Sequence, residues 1–280
     1  MFYAKIYKNI FLSKYISIKI ELFPEKSYIC PYMHVRQHIV FLTGAGISAD
    51  SGLRTFRDPE GIWAKVDPQD FCTASALREN PERVLAFYNK RRRVILDAEP
   101  NEAHRIIASL EQVHDVTVIT QNVDDLHERA GSRGVVHLHG ELTKVTSSRS
   151  RHNQDCIMDY PLDRPILPGD RALDGSQLRP SVVFFDEFPD NATLAERISR
   201  EADVFVVVGT SLSVGIAPDL VRLPRKDIPR YVIDPDDLSD RLPKGYIVLR
   251  ENAIEGMRRF RREALEGFPK FTRMMDGATE

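Results

Sequence analysis

The sequence predicts an α/β fold in which a doubly wound parallel sheet carries a small inserted module. Short, continuously apolar runs rich in β-branched residues alternate with longer segments of helical periodicity. Apolar runs without polar alternation are typical of strands buried on both faces, and their alternation with helices is typical of a parallel sheet. Residues 143–185 interrupt this rhythm with many Ser, Asp, Pro and Arg residues, so we expect the inserted module there.

Five apolar runs are predicted to be strands of the sheet. They are His38–Thr43, Val116–Thr120, Val204–Val208, Arg230–Asp234 and Tyr246–Leu249. The segment that contains His137 and His139 is also predicted to be extended, with both imidazoles on one strand face because side chains two residues apart share a face.

Four helices are predicted between and after the strands, over residues 81–97, 101–113, 122–131 and 250–267. Pro81 suits the first turn of its helix, where a backbone N–H has no partner within the helix. Asn122 is predicted to cap the third helix, and Gly131 is predicted to end it.

The composition fits a globular protein and excludes several classes of partner. The chain has 280 residues, of which 42% are hydrophobic and 29% are charged, and its formal net charge is −2. Without an excess of positive charge or a long apolar run, we expect no nucleic-acid partner and no membrane partner. The three cysteines, Cys30, Cys72 and Cys156, lie far apart and form no disulfide framework, which indicates a reducing compartment, the cytoplasm. Nothing in the sequence indicates the oligomeric state.

A change in composition divides the chain. Residues 1–35 contain lysine but no arginine, and every arginine lies further along the chain. We expect residues 1–35 to be an N-terminal extension, with Met33 as the true start of translation. A frayed extension and a targeting signal are the alternatives. The folded unit is expected over residues 36–266, and a C-terminal tail over residues 267–280.

A glycine-rich turn follows the first predicted strand. Residues 44–48, Gly-Ala-Gly-Ile-Ser, can turn sharply and present backbone N–H groups to an anion. The spacing is not the complete Gly-x-Gly-x-x-Gly fingerprint of dinucleotide-binding turns, so a turn without a ligand is the alternative. The next loop contains Phe56, Arg57 and Trp63. It either folds over a bound ligand or is a surface loop anchored by the tryptophan.

Polar residues lie at the ends of three further strands. Gln121, Asn122 and Asp124 follow the second strand, Gly209-Thr210-Ser211 follows the third, and Asp234 ends the fourth. Because the carboxyl ends of parallel strands meet in one crevice, we expect these groups to bind a ligand together with the glycine-rich turn. Helix capping is the alternative for Asn122 and Asp124, but it leaves Gln121 unexplained.

The pair His137 and His139 is a candidate for proton transfer, because imidazole titrates near neutral pH. A metal-binding pair and a buried structural histidine are the alternatives. The metal alternative lacks convincing further ligands, since only His152 and Cys156 are nearby in the sequence.

In their order, these motifs resemble those of the sirtuins. The resemblance lies within residues 36–266 and is carried by Gly-Ala-Gly-Ile-Ser, Gly-Leu-Arg-Thr-Phe-Arg, Gln-Asn-Val-Asp-Asp-Leu-His, His-Leu-His-Gly-Glu-Leu, Arg-Pro-Ser-Val-Val-Phe-Phe-Asp-Glu and Gly-Thr-Ser. It implies a Rossmann-like domain with a small zinc-ribbon module. It also implies an NAD-dependent protein-lysine deacylase that releases nicotinamide and O-acyl-ADP-ribose, with acylated lysines of proteins as its substrates.

The resemblance further implies roles for individual residues. His139 would be the general base, and Gln121 would hold the nicotinamide ribose. The nicotinamide pocket would be lined by Asn122 and Asp124, with Ser48 nearby. The other NAD contacts would come from Gly44, Ala45, Gly46, Phe56, Arg57, Gly209, Thr210, Ser211 and Asp234. The substrate backbone would pair with the strand that contains Val182 and Val183. Sirtuins usually have Asn at the position of Asp234, whose carboxylate would repel a 2′-phosphate.

Tyr88 and Arg91 indicate a preference for acidic acyl groups. They lie three residues apart, hence on one face of the predicted helix, and sirtuins that remove succinyl and malonyl groups carry a similar Tyr-x-x-Arg. Arg91 would pair bidentately with the acyl carboxylate, helped by the Tyr88 hydroxyl. Cys72 stands where this subgroup has alanine, so the acyl pocket is expected to stay roomy. A solvated basic helix face is the alternative, because residues 91–93 are three consecutive arginines.

The chain departs from the sirtuin pattern in the small module. Sirtuins normally hold zinc with two Cys-x-x-Cys pairs, but residues 143–185 contain only Cys156, and Ser147 stands where the first ligand would fall. A tetrahedral thiolate site cannot be built from these residues, so we expect no zinc. Apolar contacts are expected to hold the module instead, through Ile157, Met158, Tyr160, Ile166 and Leu167.

A second departure is Asp186, which replaces the glycine of the usual Phe-Gly-Glu. It is expected to narrow the peptide groove or to require an unusual backbone.

Deacylation of acetyl-, succinyl- or malonyl-lysine is the favoured function, and two alternatives stay open. Mono-ADP-ribosyl transfer or NAD hydrolysis would use the same cofactor with another acceptor. A non-catalytic NAD-binding module is the second alternative, against which the presence of His139 together with Gln121, Asn122 and Asp124 argues.

Overall fold

The structure, a computed structural model, describes residues 36–55 and 67–268. These residues form nine strands: β1 His38–Thr43, β2 Asp115–Thr120, β3 Val135–His137, β4 Gly140–Ser147, β5 Met158–Asp159, β6 Leu178–Val182, β7 Val204–Val208, β8 Arg230–Ile233 and β9 Ile247–Leu249. Their α-helices are α1 Ala74–Glu79, α2 Pro81–Asp97, α3 Glu102–Leu110, α4 Leu126–Arg129, α5 Ala192–Glu201, α6 Ala217–Leu220 and α7 Ala253–Glu266. The predicted extension with Met33 lies outside the described residues. So do Phe56, Arg57 and Trp63 and all but the first two residues of the predicted tail.

Six parallel strands form the central sheet, in the order β3-β2-β1-β7-β8-β9. The order reverses between β1 and β7, and in a doubly wound sheet ligands bind in the crevice at the carboxyl ends of such strands. The predicted bounds of β1 and β7 are confirmed, and those of β2, β8 and β9 differ by one residue at one end. The predicted fold class is confirmed.

Helices cover both faces of this sheet because β1 is apolar on both sides. Ile39 and Phe41 pack in a core with α3 and α7, whereas Val40 and Leu42 pack in a second core with α5 and α6. No helix in the two described stretches has both the length and the apolar character needed to cross a bilayer.

The predicted helix over residues 81–97 is confirmed as α2, whose capping residue Asn80 accepts a hydrogen bond from the Arg83 amide. The prediction that Asn122 caps a helix was wrong, because α4 begins only at Leu126. The Asn122 side chain is used instead in hydrogen bonds to other turns of the crevice.

Strands β4, β5 and β6 form the antiparallel sheet of the small module, in the order β5-β4-β6. Gly140 begins β4 with a φ of 74°, and a Cβ at this position would overlap the carbonyl oxygen of Ser181. The chain bends at Leu138 and His139, between the end of β3 at His137 and the start of β4 at Gly140. The prediction that His137 and His139 lie on one strand face was wrong for this reason.

The module shares a hydrophobic core with α1 and α2. Tyr160 and Ile166 are buried in this core, as predicted, and Ile157 is half-buried. The prediction was wrong for Met158 and Leu167, whose side chains are 37% and 53% exposed.

A polar contact that apolar patterning does not reveal also joins α2 to the module. The guanidinium of Arg92 is fully buried and donates hydrogen bonds to four backbone carbonyls of the module. These carbonyls belong to Leu142, Tyr160, Pro161 and Arg164. Because each buried carbonyl needs a donor, Arg92 fastens the module to α2.

Candidate active site

The predicted ligand-binding residues follow four strand ends at the carboxyl edge of the sheet, the edge at which the crevice between β1 and β7 is expected. Gly44–Ser48 follow β1, Gln121–Asp124 follow β2, Gly209–Ser211 follow β7, and Asp234 follows β8. The turns after β1 and β7 touch, since the Gly46 amide donates to the carbonyl oxygen of Gly209 at 2.8 Å. A Cβ on Gly46 would lie 2.7 Å from the Gly209 Cα, so only glycine fits this contact.

Ser48, Asn122 and Asp124 form a hydrogen-bonded chain within this crevice. The Asn122 amide nitrogen donates to the Gly44 carbonyl at 3.1 Å and to the Ser48 hydroxyl at 3.3 Å. The Ser48 hydroxyl in turn donates to the Asp124 carboxylate at 3.3 Å. Burial raises the pKa of Asp124 to about 6, against the opposing effect of the Leu126 amide and Ser48 hydrogen bonds. The group therefore changes charge close to neutral pH.

A small cleft that is open to solvent lies beside these residues. It is lined by Ala45, Ser48, Leu53, Arg54, Arg91, Ile95, Asn122, Val123 and Asp124. Amide, hydroxyl and carboxyl groups converge on one wall, and this donor and acceptor set fits a carboxamide ligand.

His139 lies between the sheet and the small module. Its Nδ1 atom is 2.9 Å from the carbonyl oxygen of Gln121. Since a carbonyl oxygen only accepts, Nδ1 carries the hydrogen and Nε2 carries the lone pair. Burial lowers the pKa of His139, so the ring is neutral near pH 7. Gly215 leaves space at Nε2, because a Cβ there would lie 3.1 Å from this atom.

The side chain of Gln121 joins two strand ends. Its amide nitrogen donates to the Thr210 hydroxyl at 2.8 Å, while its backbone carbonyl orients His139. Thr210 also accepts a hydrogen bond from the Leu212 amide. Gln121, Thr210 and His139 are thus held in one arrangement.

His137 has a different environment from His139. Its Nδ1 lies 3.0 Å from the Asn122 carbonyl, and its Nε2 lies 2.9 Å from Glu128. Burial lowers the pKa of His137, but the hydrogen bond and the charge of Glu128 raise it by more, so the pKa lies above its ordinary value. His137 therefore fits the alternative of a buried structural histidine. No group of three or more potential metal-ligating side chains occurs in the described residues.

Sequence reasoning missed a buried histidine pair beneath the crevice. His104 accepts from the Asn101 amide and lies 3.5 Å from the Ser48 hydroxyl. The ring of His127 meets that of His104 edge-on at 4.9 Å and bonds to Thr43. Burial lowers the pKa of His104 to about 4, so it is neutral. Its position three residues after a capping Asn was the available signal.

Arg91 lies at the cleft, whereas Tyr88 packs in the core that α2 shares with the small module. Tyr88 is only 6% exposed, and its hydroxyl donates to the Cys72 sulfur at 3.3 Å. Arg91 is half-buried in the wall of the cleft. A solvated basic face is therefore wrong for this side of the helix, and of the three consecutive arginines only Arg93 is exposed.

The segment after β6 passes next to His139. Val182 is buried, and the Val183 amide donates to the His139 carbonyl at 2.9 Å. Asp186 needs no left-handed backbone, because the non-glycine residues with positive φ in the described stretches are Asn191 and Leu212. The prediction of an unusual backbone was wrong; both carboxylate oxygens instead accept from the Ala74 amide at 3.0 Å.

A buried ionic cluster holds the same segment from the module side. Glu187 receives two hydrogen bonds from Arg179 and lies 3.3 Å from Arg151. Arg151 also pairs with Asp190 at 2.6 Å. The guanidinium of Arg179 lies 3.6 Å from the ring centre of Phe184. Both arginine side chains are almost fully buried, so their pairing is needed to offset desolvation.

The residues at the tip of the module do not fit the zinc site that the resemblance implies. The Ser147 hydroxyl donates to Asp174 at 2.5 Å and lies 2.8 Å from the Ser176 hydroxyl. Cys156 is buried and accepts from the Asn153 side chain. One thiol and a satisfied hydroxyl cannot supply four tetrahedral zinc ligands.

Comparison with known proteins gives consistent matches. A model of the Sir2 family matches residues 44–216. A protein of Bacteroides thetaiotaomicron named NAD-dependent protein deacylase is 45% identical over 222 residues, which are 79% of this chain and 95% of the relative. A solved structure described as a Sir2 homolog–NAD complex is 36% identical with a TM-score of 0.70, covering 82% of this chain and 90% of that chain. Another, described as Sir2–p53 peptide–NAD+, is 28% identical with a TM-score of 0.62, covering 82% and 94%.

Proposed function

The chain belongs to the Sir2 family, and we propose that it is an NAD-dependent protein-lysine deacylase that releases nicotinamide and O-acyl-ADP-ribose. The observation that carries this proposal is the hydrogen bond from His139 Nδ1 to the Gln121 carbonyl. It leaves Nε2 as a proton acceptor beside the crevice, which is what a general base requires. The relative from Bacteroides thetaiotaomicron is named for this activity.

NAD, when bound, would supply an ADP-ribosyl group: its bond from ribose C1′ to nicotinamide would break, and C1′ would accept the carbonyl oxygen of the acyl-lysine. The glycine-rich turn at 44–46 and the turn at 209–211 would bind the phosphates and riboses through N–H and hydroxyl groups. Ser48, Asn122 and Asp124 would bind the nicotinamide carboxamide. Asp234 would accept from the adenosine ribose hydroxyls. The remaining proposed contacts are Ala45, Phe56, Arg57 and Gln121.

His139 is proposed to remove a proton from a ribose hydroxyl. Its lowered pKa supports this role, because the ring stays neutral and able to accept at pH 7. The Gln121 carbonyl keeps the ring in the tautomer that the step needs.

The substrate is proposed to be an acylated lysine of a protein, with succinyl and malonyl preferred over acetyl. Arg91 supports this preference, since it brings a guanidinium to the wall of the cleft. The substrate backbone would lie along Val182 and Val183, and the hydrogen bond from the Val183 amide to the His139 carbonyl ties this segment to the proposed base.

The module is proposed to work without zinc, held by the Arg92 hydrogen bonds and the Arg179–Glu187 pair. The proposed location is the cytoplasm, and the free thiols of Cys72 and Cys156 support a reducing compartment.

The test is incubation of the full chain with NAD and acetyl-, malonyl- or succinyl-lysine peptides, followed by mass spectrometry of the products. Nicotinamide and O-acyl-ADP-ribose formed only with an acyl peptide are expected, and His139→Ala should form neither. A gain in protein mass would indicate ADP-ribosyl transfer, and nicotinamide release without peptide would indicate NAD hydrolysis. Saturable NAD binding without any product would indicate a non-catalytic module.

A further inference from the structure

Tyr88 and Cys72 are hydrogen-bonded to each other close to Arg91, which is proposed to bind the acyl carboxylate. The Tyr88 hydroxyl donates to the Cys72 sulfur at 3.3 Å, and the two residues are 6% and 7% exposed. The Tyr88 ring lies 5.9 Å from that of Phe184, which fixes its orientation. Burying a hydroxyl without a hydrogen-bond partner is energetically unfavourable, so the Tyr88 hydroxyl needs an acceptor in every state of the protein.

The backbone around Cys72 is fixed from two sides. Its amide donates to the Pro68 carbonyl at 2.8 Å, and its carbonyl accepts from the Phe185 amide at 2.8 Å. Two residues on, the Ala74 amide is bound by the Asp186 carboxylate. These contacts hold the backbone at Cys72 in place and so fix the position of its side chain next to Tyr88.

We propose that Cys72 is a specificity-determining residue that broadens the range of acyl groups by acting as an alternate acceptor for the Tyr88 hydroxyl; this inference rests on the proposed deacylase function. With an acidic acyl group, the hydroxyl turns from the sulfur to the carboxylate, because a thiol is a weak acceptor and a carboxylate is a strong one. With an acetyl group, the hydroxyl keeps its bond to Cys72. Both substrates thus leave Tyr88 satisfied.

An alanine at position 72 would remove this alternate acceptor. An acidic acyl group would still satisfy Tyr88, but an acetyl group would leave the buried hydroxyl without a partner. Selectivity for acidic groups should then increase through a loss of deacetylation. An effect of volume alone would go the other way, because the smaller alanine side chain would widen the range of acyl groups accepted.

The experiment compares kcat/KM for succinyl- and acetyl-lysine peptides in the wild-type chain, Cys72→Ala and Cys72→Ser. Cys72→Ala should raise the succinyl-to-acetyl ratio by about tenfold, mainly through slower deacetylation. Cys72→Ser should keep the ratio within about twofold of wild type, because its hydroxyl also accepts. Cys156→Ala is the matched control, since it removes a buried thiol outside the site and should leave the ratio unchanged.

The same comparison in a Tyr88→Phe background separates the hydrogen bond from a change in volume. Without the Tyr88 hydroxyl, Cys72→Ala should no longer change the ratio. An equal change in both backgrounds, or no change with Tyr88 present, would overturn the proposal.

Peptide affinities of the same variants, measured by calorimetry without NAD, give the ratio without turnover. A chain that binds both peptides but releases no nicotinamide would contradict the proposed function while the role of Cys72 is still read from the affinities. A wild-type chain that binds neither peptide would overturn both.

Discussion

His139 Nδ1 and the Gln121 carbonyl oxygen are 2.9 Å apart, and this contact decides which ring nitrogen can act as a base. The hydrogen must be on Nδ1, since the carbonyl oxygen has none to give. Nε2 is then the only atom of the ring that can take a proton. The chain thereby sets the tautomer with a backbone group, which no side-chain substitution at position 121 removes.

The first prediction concerns pH. Protonation of His139 removes the base, and burial lowers its pKa from the ordinary 6.5. Activity should therefore still be present at pH 6.5 and decline only at a lower pH, where His139 becomes protonated. The variant His139→Ala should lower kcat by roughly 1,000-fold. The measurement is kcat/KM for one acyl peptide between about pH 5 and 8. An acid limb with an apparent pKa above 6.5 would contradict the assignment.

The second prediction concerns Arg91. Arg91→Met should lower desuccinylation by about 100-fold but deacetylation only a few-fold, because only the succinyl group presents a carboxylate to the guanidinium. Arg93→Met is the matched control on the same helix, since Arg93 is exposed. It should change neither rate. Equal losses of both activities in Arg91→Met would remove the claim of acyl specificity.

The third prediction concerns the joint between α2 and the small module. Arg92→Met should lower the free energy of unfolding by about 3 kcal/mol, because it leaves buried carbonyls without a donor. Urea denaturation measures this loss. The exposed neighbour provides the comparison: Arg93→Ala should stay within about 0.5 kcal/mol of wild type. If the two variants were equally stable, the buried hydrogen bonds of Arg92 would make no net contribution to the free energy of unfolding.

The fourth prediction concerns metal removal. Dialysis against a chelator should leave the melting temperature and the deacylase rate unchanged, because Ser147 and Cys156 cannot complete a zinc site. Elemental analysis of the purified chain is the direct measurement. One zinc per chain, or a lower melting temperature after chelation, would show the expectation to be mistaken.

The fifth prediction concerns acid stability of the module. Hydrogen bonds from Ser147 and then Ser176 lower the pKa of Asp174 from 3.8 to about 2. A lowered carboxyl pKa contributes stability above the unfolded value, and that contribution disappears as the pH falls from 3.8 to 2. Asp174→Asn should therefore flatten the pH dependence of unfolding in this range. If the wild-type and variant proteins showed the same dependence of stability on pH, the hydrogen bonds of Asp174 with Ser147 and Ser176 would contribute nothing to stability in this range.

The strands and the edge of the site were predictable because their signals are local. A continuous apolar run defines β1 or β7 without reference to the rest of the chain. The parallel sheet then brings the ends of such strands together, so the crevice follows from the topology.

Other features depend on distant contacts. Asn122 followed by two aspartates has the chemistry of a helix cap, but hydrogen bonds to Gly44 and Ser48 take its side chain instead. Arg91, Arg92 and Arg93 are chemically identical neighbours, yet one lines the cleft, one is buried and one is exposed. Only the direction of each side chain around α2 separates them, and the local sequence does not specify what lies in that direction.

Helix α2 has a consequence for protein engineering. This helix carries Tyr88 and Arg91, which are proposed to bind the acyl group, and Arg92, which donates hydrogen bonds to carbonyls of the small module. Exchanging that module for its counterpart from a relative would disturb the contacts that anchor the helix proposed to recognise the acyl group. Grafts between such proteins should therefore transfer α2 and the module as one block.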